Sequence, residues 1–230
     1  MWTTDCTFNL IDVANAYFVV AADANDAVVQ PVYLGSKAGG VASQPFTNLA
    51  PVAVPAFKTA MVPIDLANAA FNGGYGAVQL VAQPAGVTGV VQPFLAHAVI
   101  RSPLDLDPVS GPAFVGTSFR VPVVASRVAQ QIKIVVTVVQ PTAPGSPSPI
   151  VTIGDPGGAW SAQQAVDFQA SWLWDSAAQP PINVQGAGEI AILSPNALVV
   201  VSFFARRGLE TFHGYLPPTS LPRLGGGGLP

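Results

Sequence analysis

The chain has 230 residues, of which 9% are charged and 50% are hydrophobic, whereas charged residues make up about 25% of an ordinary soluble domain. No Lys/Arg cluster is present that could neutralise a run of phosphates, which argues against a protein that coats nucleic acid. Intrinsic disorder is excluded as well, because Val, Leu, Phe and Ile account for 70 of the 230 residues and disordered chains contain few of these residues.

Residue choice favours strands over helices along the whole chain. There are 32 Val and 10 Ile against 16 Leu, and branching at Cβ suits a pleated sheet better than a helix. Gly and Pro contribute 22 and 23 residues, which is typical of many strands joined by turns. The sequence therefore predicts an all-β protein: an antiparallel, jelly-roll-like two-sheet β-sandwich with long Pro/Gly-rich loops.

Apolar windows in the N-terminal half predict several strands and no targeting segment. A single cysteine, Cys6, excludes an intrachain disulfide. Residues 66–100 carry no Asp, Glu, Lys or Arg, but Asn, Gln, Gly and Pro interrupt them, so we predict no transmembrane segment. No signal peptide is recognisable, which favours synthesis in a host cytoplasm. The expected strands are 7–13, 16–22, 27–34, 52–57, 60–64, 77–83 and 90–100.

The loop 102–112 brings carboxylates close together in sequence. Asp105 and Asp107 offer the oxygen ligands that calcium prefers, but the spacing of an EF-type loop is not present. The simpler interpretation is a solvated loop with Asx-type turns. The same interpretation applies to Asp23 and Asp26.

The second half contains the clearest buried strand. Residues 128–140 are nearly continuously apolar from Ile132 onwards, which predicts burial on both faces, against a second sheet or a neighbouring subunit. The following Pro-rich segment, 141–149, is expected to be a long loop, with a subdivision of the chain there as the alternative. We therefore expect residues 1–214 to form one β-sandwich domain.

Residues 166–175 alternate between apolar and polar side chains, which predicts a strand with Trp172 and Trp174 on one face. A helical turn beginning at Ser161 is the competing interpretation, because Ser161 and Gln164 have the spacing of a capping box. The two tryptophans are expected in the core or a subunit interface, and a sugar-stacking platform is the alternative.

The end of the chain predicts a hairpin followed by an extended arm. Residues 189–193 and 198–205 flank a Ser-Pro-Asn-Ala turn, which is typical of a β-hairpin. The segment 215–230 contains four consecutive glycines and cannot form a helix or a central strand. We expect it to act as an arm that contacts neighbouring subunits through spaced leucines: Leu216, Leu221, Leu224 and Leu229.

Motifs of known chemistry do not occur in the sequence. Nucleophile-elbow, phosphate-loop and zinc-binding patterns are missing, and His97 and His213 stand far apart in the chain. We therefore predict a protein that is not an enzyme, with no catalytic, cofactor-binding or metal site and no cofactor.

Sparse charge is typical of surfaces that are buried between subunits. The sequence thus favours a self-assembling structural protein of a virus or phage virion, as a capsid shell, decoration or vertex protein. Its partners would be copies of itself and other virion proteins, without direct contact to nucleic acid. Under this hypothesis the uncharged stretches 66–100 and 134–154 are buried between subunits. The alternative is a β-sandwich module that binds a carbohydrate or receptor, as in a spike or lectin.

Overall fold

The structure is a computed structural model, and all statements below concern the residues that it describes. These are 5–11, 15–34, 47–64, 75–87, 90, 92–101, 106–110, 115–123, 130–141, 148–178, 188–207 and 210–215.

The described residues form eighteen strands and no helix, so the all-β prediction is confirmed. Every strand pair is antiparallel. The strands are β1 (Asp5–Ile11), β2 (Asn15–Ala22), β3 (Ala27–Leu34), β4 (Thr47–Asn48), β5 (Val52–Val54), β6 (Thr59–Ile64), β7 (Tyr75–Pro84), β8 (Phe94–Arg101), β9 (Leu106–Ser110), β10 (Val115–Gly116), β11 (Ser118–Val123), β12 (Gln130–Pro141), β13 (Ile150–Gly154), β14 (Ser161–Ala165), β15 (Ser171–Asp175), β16 (Gly188–Leu193), β17 (Ala197–Arg207) and β18 (Glu210–Tyr215).

These strands are arranged in four sheets, where the sequence had suggested two. Sheet I has the order β6-β2-β8-β9, and sheet II has the order β1-β7-β3-β4, with β5 also paired to β3. Sheet III has the order β10-β17-β12-β15, with β18 paired to β17, and sheet IV has the order β11-β16-β13-β14. We call sheets I and II the N-terminal unit and sheets III and IV the C-terminal unit.

Each unit encloses a separate hydrophobic core, because alternate side chains of its two sheets face each other. The core of the N-terminal unit includes Phe18 and Phe94 from sheet I and Phe8 from sheet II. The core of the C-terminal unit includes Ile134 from sheet III and Ile192 from sheet IV. The arrangement of each unit is that of two stacked antiparallel sheets.

The two units contact each other through sheets II and III. Strands β1 and β7 lie against β12, β15 and β17. Val135, on the face of β12 that points away from its own core, is fully buried. The prediction that this strand is buried on both faces is therefore confirmed, and the chain's own sheets cover both. A polar link crosses the contact, since the Ser171 hydroxyl lies 2.8 Å from that of Thr137 and donates to the Leu34 carbonyl at 3.5 Å.

The C-terminal unit is built as one long hairpin that has been rolled up. Its strands pair from the tip outwards as β13 with β14, β12 with β15, β11 with β16 and β10 with β17. Successive pairs lie alternately in sheets IV and III, and the β12–β17 and β13–β16 pairs close each sheet. The tip is an Asp-Pro-Gly-Gly turn in which Gly158 has a φ of 81° and donates to the Asp155 carbonyl, a conformation that suits glycine.

The N-terminal unit follows the same nested scheme in its described part. Strand β3 pairs with β4 and β5, β2 pairs with β6, and β1 pairs with β7. Strand β7 also pairs with β3, which closes sheet II. Strands β8 and β9 then extend sheet I on the other side of β2.

Three local predictions for the C-terminal unit need correction. The predicted hairpin of 189–205 is an arch, because β16 belongs to sheet IV and β17 to sheet III. The apolar residues of both strands face the same core. Because the two strands are in opposite sheets, the turn between them crosses from one sheet to the other. The predicted helical turn at Ser161 is strand β14, whose backbone groups pair with β13. The predicted strand 166–175 is limited to β15, since Gln169 has a φ of 59° and interrupts it.

The Pro-rich segment 141–149 does not separate the two cores. Strands β12 and β13, which flank it, both contribute to the core of the C-terminal unit. The change from one core to the other occurs between β8 and β11. The boundaries 1–214 and 215–230 stay predictions.

Candidate interaction surface

The outer face of sheet I is apolar and exposed. Because Phe18 and Val20 point into the core, the alternate residues of β2 point outward, and the register aligns them with residues of β6 and β8. The most exposed apolar members are Met61, at 63%, and Tyr17, at 36%. None of the nine residues in these three aligned rows is Asp, Glu, Lys or Arg: Thr59, Ala21 and Leu95; Met61, Val19 and His97; Pro63, Tyr17 and Val99.

The outer face of sheet IV, on the opposite side of the molecule, has a different character. Arg120 and Glu189 form a salt bridge of 3.3 Å on it. Gln163 and Ser161 are exposed on β14, and Leu193 and Ile150 are the large apolar residues among polar ones. This mixture of charged, polar and isolated apolar side chains is ordinary for a solvated sheet face.

The face of sheet III that contacts sheet II provides a second comparison within the same chain. It carries Val135, Val200 and Phe204 together with small hydroxyl residues, and these side chains are buried. The outer face of sheet I resembles this covered face in its apolar residues, and it differs from the exposed face of sheet IV.

The loops at one end of the N-terminal unit carry two further exposed apolar side chains. Asp26 holds two of them, because its carboxylate accepts from the Ala56 amide at 2.9 Å and its carbonyl accepts from the Ala85 amide at 3.2 Å. One loop carries Phe57, 75% exposed, and the other carries Val87, 48% exposed. The sequence predicts a solvated loop with Asx-type turns at Asp26, whereas its carboxylate bonds the distant Ala56 amide.

Phe57 has an unfavourable backbone conformation for its residue type. Its φ is 57°, in the left-handed region, which costs a residue other than glycine about 1–2 kcal/mol. The Phe57 amide donates to the Asp23 carbonyl at 3.0 Å, and the Lys58 carbonyl accepts from the Ala22 amide at 3.1 Å. The turn is thus fixed to the end of β2, next to the start of β6. Such outliers are concentrated at functional sites.

Trp172 and Trp174 lie in the core of the C-terminal unit. Trp174 is 6% exposed, and Trp172 is half-buried against the same cluster. The ring of Trp174 stacks on Trp160 at a centroid distance of 5.4 Å and an interplanar angle of 2°. The partner ring therefore covers the face that a sugar would need. Sequence reasoning missed Trp160, because its pairing depends on β14 and β15 meeting across the core.

Several predicted residues have little or no described environment. The arm leucines Leu216, Leu221, Leu224 and Leu229 lie outside the described residues, so their role stays a prediction. Asp105 is outside them too, whereas Asp107 is on β9, opposite Ile100. His97 is exposed on the outer face of sheet I, and His213 is on β18. Within the described residues, no three His, Cys, Asp or Glu side chains lie together as a metal site would require.

Comparison with known protein families, curated proteins and solved structures found no significant match. Among the described residues, no helix has the length and hydropathy needed to cross a membrane.

The outward-facing residues Tyr17, Val19 and Met61 were not identified from the sequence as an interaction surface. A signal was present, because the windows 16–22 and 60–64 lack the polar alternation of a strand with one solvated face. The sequence could not show that these two windows are neighbours in one sheet.

Proposed function

We propose that this chain is a self-assembling structural subunit, of the kind that builds the shell or surface of a virion, and that its partners are copies of itself and other virion proteins. The observation that carries this proposal is the exposed patch on the outer face of sheet I, where three aligned rows of β6, β2 and β8 contain no Asp, Glu, Lys or Arg.

Two copies could bring these three rows together without like-charge repulsion, since the rows contain no Asp, Glu, Lys or Arg. Three strands spaced about 4.8 Å apart, and six residues rising about 3.4 Å each, give a patch of roughly 290 Å². This is close to the lower end of the ~300–600 Å² usual for the largest apolar patch of a monomer, which is often functional. The contact between sheets II and III supplies a precedent within the chain for covering such a face with another sheet.

The strand order of the C-terminal unit also supports the proposal. An eight-stranded hairpin rolled into two sheets is the principle of the jelly roll, which occurs in viral capsid proteins and in lectins. Because both classes share it, this connectivity alone does not choose between assembly and carbohydrate binding. Trp174 lies in the core and Trp172 is half-buried against it, which argues against a sugar-stacking platform made of these two rings.

Light scattering coupled to size-exclusion chromatography tests the proposal. We expect the purified chain to associate as its concentration rises. Met61→Glu places a charge in the middle row of the apolar patch, on the edge strand β6, and should weaken association by at least about tenfold, because burying an unpaired charge is costly. Leu193→Glu is the matched control, since Leu193 is 46% exposed on the outer face of sheet IV.

The proposal is contradicted if the chain stays monomeric at all concentrations and also fails to bind virions that contain its proposed partner proteins. Equal weakening by Met61→Glu and Leu193→Glu would show that the effect is not specific to sheet I. Circular dichroism of both variants establishes that they remain folded.

A further inference from the structure

We infer that strand β14 is a pairing edge, at which sheet IV joins sheet IV of a second copy of this chain in one continuous antiparallel sheet. The inference rests on the proposed function, since it names one contact by which such subunits assemble. It uses a different surface from the outer face of sheet I, so the two can be tested separately. Three observations support it: the residues of this edge, the direction of its backbone groups, and its complementarity to itself.

Strand β14 differs in its residues from the other strands at sheet edges. An open edge presents unpaired backbone groups to other chains, and proteins usually protect it with charged residues or proline. Strand β14, Ser161–Ala165, reads Ser-Ala-Gln-Gln-Ala and contains neither. Every other described edge strand of five or more residues contains at least one such residue: Asp5 in β1, Pro63 in β6, Pro108 in β9, Arg120 in β11, Asp175 in β15 and Glu210 in β18.

The backbone of β14 directs alternate residues away from β13. The Val166 amide donates to the Pro149 carbonyl at 2.9 Å, so the backbone of Val166 points towards β13. Because the two directions alternate along an antiparallel strand, the N–H and C=O groups of Ser161, Gln163 and Ala165 point to the open edge. Sheet IV has no strand beyond β14 among the described residues. The groups that a further antiparallel strand would bond are therefore in place.

The edge is also held in position before any partner binds. At the start of β14, the Trp160 carbonyl accepts from the Asp155 amide at 3.0 Å, which extends the pairing with β13 beyond the strand. Among the described residues, the one hydrogen bond to the outward groups comes from the Gln164 side chain, whose Nε2 donates to the Ala165 carbonyl at 3.3 Å. An incoming strand supplies a backbone N–H at this place, so pairing requires little reordering of the edge.

Strand β14 is complementary to a second β14. With Gln163 opposite the partner's Gln163, Ser161 of each copy lies opposite Ala165 of the other, and all three outward residues exchange both backbone bonds with their partners. The side chains that meet are small, or are two amides that can bond each other. A two-fold pair brings the middle residue opposite its own copy, where a charge would repel itself. The uncharged middle of β14 meets this requirement, which favours a second copy as the partner.

Pairing of the edges also covers partly exposed residues of the C-terminal core. Strand β15 is an edge of sheet III on the same side of the sandwich, because its Trp174 stacks on Trp160. Trp160, Ala162 and Trp172 are half-buried against this core. A strand added to β14 continues sheet IV over this open side. Backbone hydrogen bonds provide the affinity in such strand addition, so the contact does not depend on a large flat face.

The first test is sedimentation equilibrium of the full chain and of variants at position 163. Gln163→Lys and Gln163→Glu each place like charges opposite each other, and each should weaken association by about fivefold. An equimolar mixture of the two places Lys opposite Glu and should restore association to within about twofold of the natural chain. Gln163→Pro removes an outward donor without removing a bond to β13, and should weaken association by at least about tenfold.

Thr152→Lys is the matched control, because Thr152 lies beside Gln163 on the neighbouring strand β13. In the symmetric pair it is three strand spacings, roughly 14 Å, from its own copy, a distance at which salt screens the repulsion. It should associate like the natural chain. Thermal unfolding followed by circular dichroism establishes that each variant is folded.

Hydrogen exchange of the natural chain is the second test. On association, the amides of Ser161, Gln163 and Ala165 should exchange at least about tenfold more slowly than in the dilute monomer. The amides of Ala162 and Gln164 bond to β13 in both states and are the internal reference. Unchanged exchange at the three outward amides in the associated protein would refute the pairing.

The outcomes separate this inference from the proposed function. If Met61→Glu weakens association but the variants at position 163 associate like the natural chain, the edge pairing is refuted while the proposed function stands. If the Lys and Glu variants are both weakened and their mixture stays weakened, the partner is not β14 of a second copy, and the inference is refuted. A natural chain that never associates contradicts both.

Discussion

Replacing Trp160 by alanine tests the interpretation of the tryptophans most directly. Trp160 directly precedes β14 of sheet IV and stacks on Trp174 of β15 in sheet III. The pair thus joins the two sheets at one side of the C-terminal core. Removal of the indole takes away the stacking partner and exposes a ring that is otherwise almost fully buried.

The expected cost follows from the burial of Trp160. Truncation of a fully buried Trp to Ala costs about 3–5 kcal/mol, and a stacked aromatic pair contributes about 0.5–1.5 kcal/mol of such a loss. Because Trp160 is half-buried, we expect Trp160→Ala to lower the free energy of unfolding by about 2–3 kcal/mol. For a chain of this length, that corresponds to a fall in thermal midpoint of about 4–12 °C.

Thermal unfolding followed by circular dichroism and tryptophan fluorescence measures this effect. The parallel stacked indoles should give an exciton couplet that disappears in Trp160→Ala and Trp160→Phe. Phe168→Ala is the control, because Phe168 is 52% exposed in the same unit, and it should change the free energy of unfolding by less than about 0.5 kcal/mol. An unchanged midpoint in Trp160→Ala, with loss of binding to a glycan, would refute the core assignment and support a ligand platform.

Two further substitutions examine the N-terminal core and the outer face of sheet IV. Gly76→Ala should destabilise the chain by about 1–3 kcal/mol in chemical denaturation, since a Cβ there would lie 2.6 Å from the buried ring of Tyr33. Gly188→Ala is the control, because no atom lies within 4 Å of such a Cβ. Equal stability of the two variants would contradict the close packing of Gly76 against Tyr33. Arg120→Ala should lower the free energy of unfolding by less than about 1 kcal/mol, and by less still at high salt. The reason is that the Arg120 and Glu189 side chains are 40% and 55% exposed. A decrease of several kcal/mol would show that the outer face of sheet IV is not solvated.

Strand positions were largely readable from the sequence, because branched apolar residues and turn residues act locally. The windows 16–22, 27–34 and 60–64 agree with β2, β3 and β6 within one residue. The errors concern residues whose state depends on partners distant in sequence. Ser161 has a helix-capping spacing, but β13 supplies hydrogen bonds to its segment. The segments 189–193 and 198–205 resemble a hairpin, but their apolar residues face each other across a core.

The uncharged stretch 134–154 shows that composition can predict burial correctly without showing which surface covers the strand. The sequence predicted that β12 is covered on both faces, and it is. The cover is provided by sheets of the same chain, whereas the hypothesis had placed a neighbouring subunit there. The apolar surface that remains exposed is on sheet I, and the windows 16–22 and 60–64 indicate it only by lacking the polar alternation of a strand with one solvated face.

The sequence by itself determined that the protein is all-β and sparsely charged, since composition and two-residue periodicity are local properties. Both can be read without knowing which strands are neighbours. Tertiary structure alone decided that there are two cores, that Trp174 stacks on Trp160, and that the apolar residues of β2, β6 and β8 combine into one face. The physical reason is that a sheet joins segments through hydrogen bonds between strands that are far apart in the chain. A surface made of such segments exists only after folding.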